Sequence, residues 1–188
     1  TFPRHDADEA FHDLVLDRLD ADTHRDLVRW LRDYADTHDN PEQALELSRR
    51  LFWNRTSESA YEDLKSTAQA LGQWDDVRAE IHDQLREQEN YALLTRLHLS
   101  NDDVEAALKT VDKVGSSPWQ HGGASLKMDV ADAAEEPHPE EAIRLYTDRA
   151  RTLIEQRGRS NYADAGDLLV RVRTLYDRLN DADAWTAY

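Results

Sequence analysis

Apolar residues recur along almost the whole chain at intervals of three and four, the spacing that lays them along one side of an α-helix. "DLVRWLRDYADTH" sets Leu27, Trp30, Leu31, Tyr34 and His38 in one stripe. "SESAYEDLKSTAQALG" sets Tyr61, Leu64, Ala68 and Leu71 in another, before Gly72 offers a C-terminal cap. The same pattern gives Trp74, Val77, Ile81 and Leu85 in "QWDDVRAEIHDQL". In "PEEAIRLYTDRARTLI" it gives Ala142, Leu145, Tyr146, Arg149 or Ala150, and Leu153, with Pro139 suited to a first turn. No run of alternating β-branched residues is long enough for a strand. The breakers "DNP", "NRTS", "ALGQW", "GSSPWQHGG" and "EEPHP" are short, as connections between antiparallel helices are. The expected class is all-α.

Periodicity on a longer scale orders these helices. Ala44, Val77, Ala107 and Ala142, each near the opening of a helix, are separated by 33, 30 and 35 residues. Tyr61, Tyr91, Leu126 and Tyr162, near the starts of the intervening helices, are separated by 30, 35 and 36. Two interleaved series near a period of 34 are what a two-helix repeat predicts, because each hairpin has to bury its apolar face on the next. The expectation is an α-solenoid of about five antiparallel hairpins, the first over residues 8 to 38, with degenerate, tetratricopeptide-like repeats. The opening Thr and the closing "DADAWTAY", where another helix starts, suggest one helical-repeat domain over residues 1–188, cut from the C-terminal part of a longer protein.

The stretch "RGRSNYADAGDLL" reads first as a hairpin turn. Gly158 is placed to take the left-handed conformation that stops a helix, and Asn161 to cap the next, with Asp164 near its amino end. Ala163, Ala165 and Gly166 are small enough for close helix approach, and Leu168, Leu169, Val172, Leu175, Tyr176 and Leu179 continue the stripe. The longer run "RGRSNYADAGDLLVRVRTLYDRLNDADAWTAY" resembles the C-terminal helical region of prokaryotic SWIM zinc-finger proteins. The shared elements are an Arg-Gly-Arg turn, an Asn-Tyr pair, a leucine- and tyrosine-containing helix and a following Trp-x-x-Tyr. The resemblance implies a helical scaffold following a small zinc module that binds nucleic acid or protein. This chain has no cysteine, so no zinc-ligand role passes to any residue here.

Charge narrows the function classes. The chain carries 25 Asp and 14 Glu against 19 Arg and 4 Lys, a net charge of -16. Such a surface repels a nucleic-acid backbone over most of its area. Asp preferred to Glu, with Lys nearly absent, exposes little apolar stem and suits a salt-loaded cytoplasm. A halophilic source is the expectation, an ordinary acidic protein the alternative. The N-terminal "TFPRHDADEAFHDLVLDRLD" has no basic leader and no apolar run continues long enough to span a bilayer, so a cytoplasmic location without membrane contact is expected.

Candidate chemistry is sparse. The eight His form no pair at helical spacing with a third ligand, and there is no P-loop and no GxGxxG, so neither metal nor cofactor is expected. "RLDADTH" and "RDYADTH" share the Arg-x5-His spacing of helical ribonucleases of the HEPN type, a short match that chance readily supplies in such a chain. The reading is a non-catalytic scaffold or protein-interaction module. An accessory nucleic-acid-binding part of a SWIM-type protein is the alternative. Residues 140 to 180 hold eight Arg and seven acidic residues, so the rest of the chain carries -17. Arg144 and Arg151, Arg171 and Arg178, and Arg157 and Arg159 about the turn either form a salt-bridged face or dock an acidic segment or phosphate. Trp119, in the longest breaker, is a second candidate anchor for a partner.

With so large a net charge, screening should stabilise the fold. The melting temperature followed by helical circular dichroism is expected to rise from low to molar KCl. A melting temperature that stays level or falls would remove the halophile reading.

Overall fold

A computed structural model describes residues 25–38, 40–115, 123–181, 183 and 185. Among them all regular structure is helical: α1 (Arg25–Thr37), α2 (Pro41–Asn54), α3 (Glu58–Ala70), α4 (Trp74–Glu87), α5 (Tyr91–Ser100), α6 (Val104–Val111), α7 (Gly123–Ala134), α8 (Pro139–Gln156) and α9 (Arg159–Leu179). The all-α class therefore holds. Trp119 and the helix expected before residue 24 lie outside the described residues. The chain divides into two compact units, Thr1–Ile81 and His82–Tyr188, with the division inside α4.

In the first unit α1 packs on α2, and α2 on α3. Pro41 and Asn40 start α2, the proline filling a first-turn position and the asparagine accepting from Gln43 N–H. Val28 and Leu31 meet Leu47 and Leu51. Below them Phe52 lies 6.3 Å from the Tyr61 ring, and Trp74 sets an edge on Tyr61 at 5.3 Å.

The expected stripe of α1 is only partly buried. Leu31 is 6 % exposed, but Leu27, Trp30 and Tyr34 are 39, 58 and 40 % exposed, and the buried face is Val28, Leu31 and Ala35. Both sets have the same spacing, one residue out of step. Small Val28 and Ala35 allow the close interhelical approach that bulky Trp30 and Tyr34 would hold open.

In the second unit each helix from α5 to α9 packs on the next, and α5 also touches α7. Its core joins Ala107 and Val111 of α6, Val130 and Ala134 of α7, Tyr146 of α8 and Val172 of α9. Ala44, Val77, Ala107 and Ala142 are all at most 1 % exposed. The second series also stands in first turns, at Tyr61, Tyr91, Leu126 and Tyr162, but its burial varies: Tyr61 and Leu126 are buried, Tyr91 is half-buried, and Tyr162 is 53 % exposed. On α8 the open choice resolves to Ala150, which is buried, while Arg149 is only half-buried.

Four turns share one hydrogen-bond pattern. At the end of α3, Gln73 N–H reaches Ala68 O (2.9 Å) and Gly72 N–H reaches Gln69 O (3.0 Å), with Gly72 at φ 68° as expected. The same pair of bonds closes α4, α5 and α9, where the left-handed residue is Glu89, Asp102 or Asn180, at φ 55–56°. In two of these turns the next residue starts the following helix: Asn90 accepts from Leu93 N–H, and Asp103 from Ala106 N–H.

The "RGR" turn departs from its expected form. Gly158 has positive φ, but at φ 129° and ψ 146° it is extended rather than left-handed helical. It directly precedes α9, so Asn161 is not the cap; it lies in the first turn and its Nδ2 donates to Arg157 O at 3.0 Å. Glycine can reach an extended backbone at positive φ, and this brings the chain into the helix sooner than an asparagine cap would. Of the three small residues expected at the contact, only Ala165 is buried. Ala163 and Gly166 are exposed, and a Cβ on Gly166 would meet nothing within 4 Å.

At Gly158 a Cβ would have room, its nearest neighbour being Asn161 Nδ2 at 3.7 Å, so backbone strain alone sets the cost of substitution. Gly158→Val is expected to lose about 1–3 kcal/mol in urea denaturation. Glu89→Gly, relieving a left-handed glutamate, is expected to gain about 0.5–1 kcal/mol. A Gly158→Val chain that denatures like the parent would contradict this account of the turn.

Candidate functional site

The arginines singled out on α8 and α9 separate into two groups. Arg144 makes a two-pronged contact with Asp112, at 3.1 and 3.0 Å, and its Nε donates to Glu141 at 2.8 Å. Partial burial works against its charge, but the hydrogen bonds to Glu141 and Asp112 outweigh that and hold its pKa above the ordinary value. Arg151 is 3.7 Å from Asp148 at the surface.

Arg171 lies deeper in a cluster that joins three helices. Its guanidinium reaches Asp132 Oδ1 (2.8 Å) and Glu135 Oε1 (2.7 Å) and sits 4.5 Å over the Tyr146 ring. The Tyr146 hydroxyl is 2.5 Å from Asp132 Oδ1 and 2.9 Å from Glu135 Oε1, so one proton is offered to two carboxylates. Burial, then these two hydrogen bonds, push the Tyr146 hydroxyl pKa well above that of an ordinary phenol. Arg178 completes the join, donating to the Glu135 carbonyl at 3.0 Å, just beyond the C-terminus of α7.

Arg157 and Arg159 are different. Both are exposed at the turn, with no ion-pair partner among the described residues. Arg157 stands at φ 52° and ψ 155°, a conformation in which glycine is far commoner. Of the six arginines, the turn pair is thus the part whose charge is not already used within the chain.

A second surface feature was hidden in the sequence because its residues read as core. Trp30, Tyr34 and His38 stack in a row along α1, with centroid spacings of 5.5 and 3.8 Å. Spacing of four residues brings the rings over one another, and the one-residue offset of the buried face leaves them in solvent. His38 Nδ1 lies 2.9 Å from Tyr34 O, whereas Arg32 contacts Asp33 and Asp63, so this Arg-x5-His pair has separate surroundings; the other, Arg18 and His24, lies outside the described residues.

Among the described residues no three His, Asp or Glu side chains converge as metal ligands, and no helix is long and apolar enough to cross a membrane. Comparison with protein-family models, with curated proteins and with solved structures finds no match to this chain.

Tyr146 keeps its proton in the folded chain beyond the pH, about 10, at which a free phenol releases it. Its contribution to stability is complete below about pH 10 and declines as pH rises beyond it. Tyr146→Phe is expected to cost about 1–3 kcal/mol at neutral pH, through the lost hydrogen bonds to charged groups, and to flatten the alkaline decline. Urea denaturation of both proteins at neutral and alkaline pH measures this. An unchanged alkaline slope in the variant would show that the cluster does not hold the phenol proton.

Proposed function

We propose that this chain is a non-catalytic scaffold, an α-solenoid of about five tetratricopeptide-like hairpins that binds a partner protein in the cytoplasm of a halophile. The observation that carries the reading is the burial of Ala44, Val77, Ala107 and Ala142 at intervals of 33, 30 and 35 residues, together with the packing of α1 on α2, α2 on α3, and each helix from α5 to α9 on the next. Such a fold devotes its interior to stacking and leaves its surface for recognition. The row of Trp30 and Tyr34 supplies rigid aromatic area of the kind that anchors interfaces. Trp119 and the six arginines of α8, α9 and their turn are the other proposed contacts, with Arg157 and Arg159 foremost because their charges are uncommitted.

A second reading, an accessory nucleic-acid-binding part of a SWIM zinc-finger protein, draws support from the same exposed pair. The two separate experimentally. A protein recovered with the chain from the source cytoplasm, and confirmed by titration with purified components, is expected to bind Trp30→Ser, Tyr34→Ser about tenfold or more weakly, with circular dichroism unchanged. If the parent binds RNA or DNA instead, with strong salt dependence lost in Arg157→Ser, Arg159→Ser, the second reading replaces the first.

A further inference from the structure

The first unit contains a concentration of positive charge at odds with the chain as a whole. Arg25, Arg29 and Arg32 are spaced i, i+4 and i+7, so they lie along one side of α1. They line a cavity of about 280 Å³ together with Arg55, which ends α2, and Ser57, which caps α3. Asp63 is the one acidic residue among the described lining residues. Among those residues four arginines face one aspartate, in a protein whose net charge is -16.

Among the described residues Arg25 and Arg55 make no ion pair, and Arg29 and Arg32 pair only with exposed carboxylates. Arg29 is 3.9 Å from Asp26, whose side chain is fully in solvent, and Arg32 is 3.7 Å from Asp63. Arg32 also holds Asp33, its exposed chain neighbour, at 2.7 Å. The Arg25 Nε is closed off from solvent and has no hydrogen-bond partner among the described residues. A buried guanidinium donor without an acceptor is costly, and an acceptor arriving in the cavity would relieve it. The amino end of α3 adds the positive end of its dipole: Ser57, Ser59 and Ala60 line the cavity, with Ala60 N–H already donating to Ser57 Oγ at 3.2 Å.

We infer that this cavity is a binding site for the phosphate group of a small phosphate ester. Guanidinium forks match tetrahedral oxyanions in geometry, and the excess of positive charge suits a dianion better than a single carboxylate. Among the described residues the remaining lining is hydroxyl-bearing or aliphatic, with Ser48 and Leu51 and no aromatic ring to receive a nucleobase. The cavity is small, near the lower limit for organic ligands, which favours a short polyol phosphate over a nucleotide. The site is independent of the interaction role proposed above, since neither the aromatic row nor the "RGR" turn contributes to it.

The probes are inorganic phosphate and glycerol phosphate, titrated calorimetrically against the full chain at constant ionic strength, with chloride as the balancing anion. Saturable binding of both at millimolar concentration or below is expected. Tighter binding of glycerol phosphate supports the ester, whereas equal affinity, or preference for inorganic phosphate, overturns the ester in favour of the free ion. Arg25→Gln, Arg29→Gln is expected to weaken binding about tenfold or more, and Arg78→Gln, an exposed position on α4 outside the cavity lining, to leave it unchanged. If the double variant does not fold, Arg55→Gln, exposed at the end of its helix, makes the same test. No saturable binding by the parent, binding only to RNA or to a phosphopeptide, or parental affinity in a folded cavity variant would overturn the inference.

Discussion

Each helix of this chain carries one narrow apolar stripe, and the rest of the structure follows from the need to set that stripe against a neighbour. A helix such as α6, with 8 residues, is too short to persist alone in water. It endures because Ala107 and Val111 are shut between adjoining helices. Alanine and valine dominate these contacts, and their small side chains bring backbones close without long, entropically costly chains to order. The same requirement explains α1, whose contact with α2 runs through Val28, Leu31 and Leu51 while its larger rings remain outside.

Arginine meets three different demands in a chain short of lysine. Arg171 ties α7, α8 and α9 through two carboxylates and a phenol, a half-buried arrangement in which loss of one partner strands the others. Arg144 makes a planar, two-pronged contact between helices that a lysine could not reproduce. Arg25, Arg29 and Arg32 instead gather on one side of a helix and line a cavity, where only Arg32 is held closely by a carboxylate, that of Asp33. The contrast between the first two cases and the third separates structural cations from binding cations more clearly than exposure does.

Much of the helical pattern was legible in the residues, because the stripes of α3, α4 and α8 have only one plausible buried face. Tyr61, Leu64, Val77, Ile81, Tyr146 and Leu153 are all interior, as spacing alone predicts. The stripe of α1 was misread because two registers, one residue apart, satisfy the same period; what decides between them is side-chain bulk against α2. Turns were legible where glycine supplied the signal, as at Gly72, and invisible where Glu89 or Asp102 takes the left-handed position. For the surface the limit is different in kind. The spacing of Arg25, Arg29 and Arg32 could be seen as a face, but the cavity also needs Arg55 and Ser57, which reach it only through the packing of three helices.

Packing among near neighbours in the chain has a consequence for how the molecule acquires its structure. In the second unit the helix contacts join successive elements or, for α5 and α7, elements one apart, so no segment has to wait for a distant partner. Closing short loops costs little chain entropy, and topologies made of local contacts fold fast. Each hairpin can therefore settle as soon as its own residues are available, during synthesis as readily as after it. The solubility of a partly made chain then rests on the acidic faces, already in place on the helices that have formed.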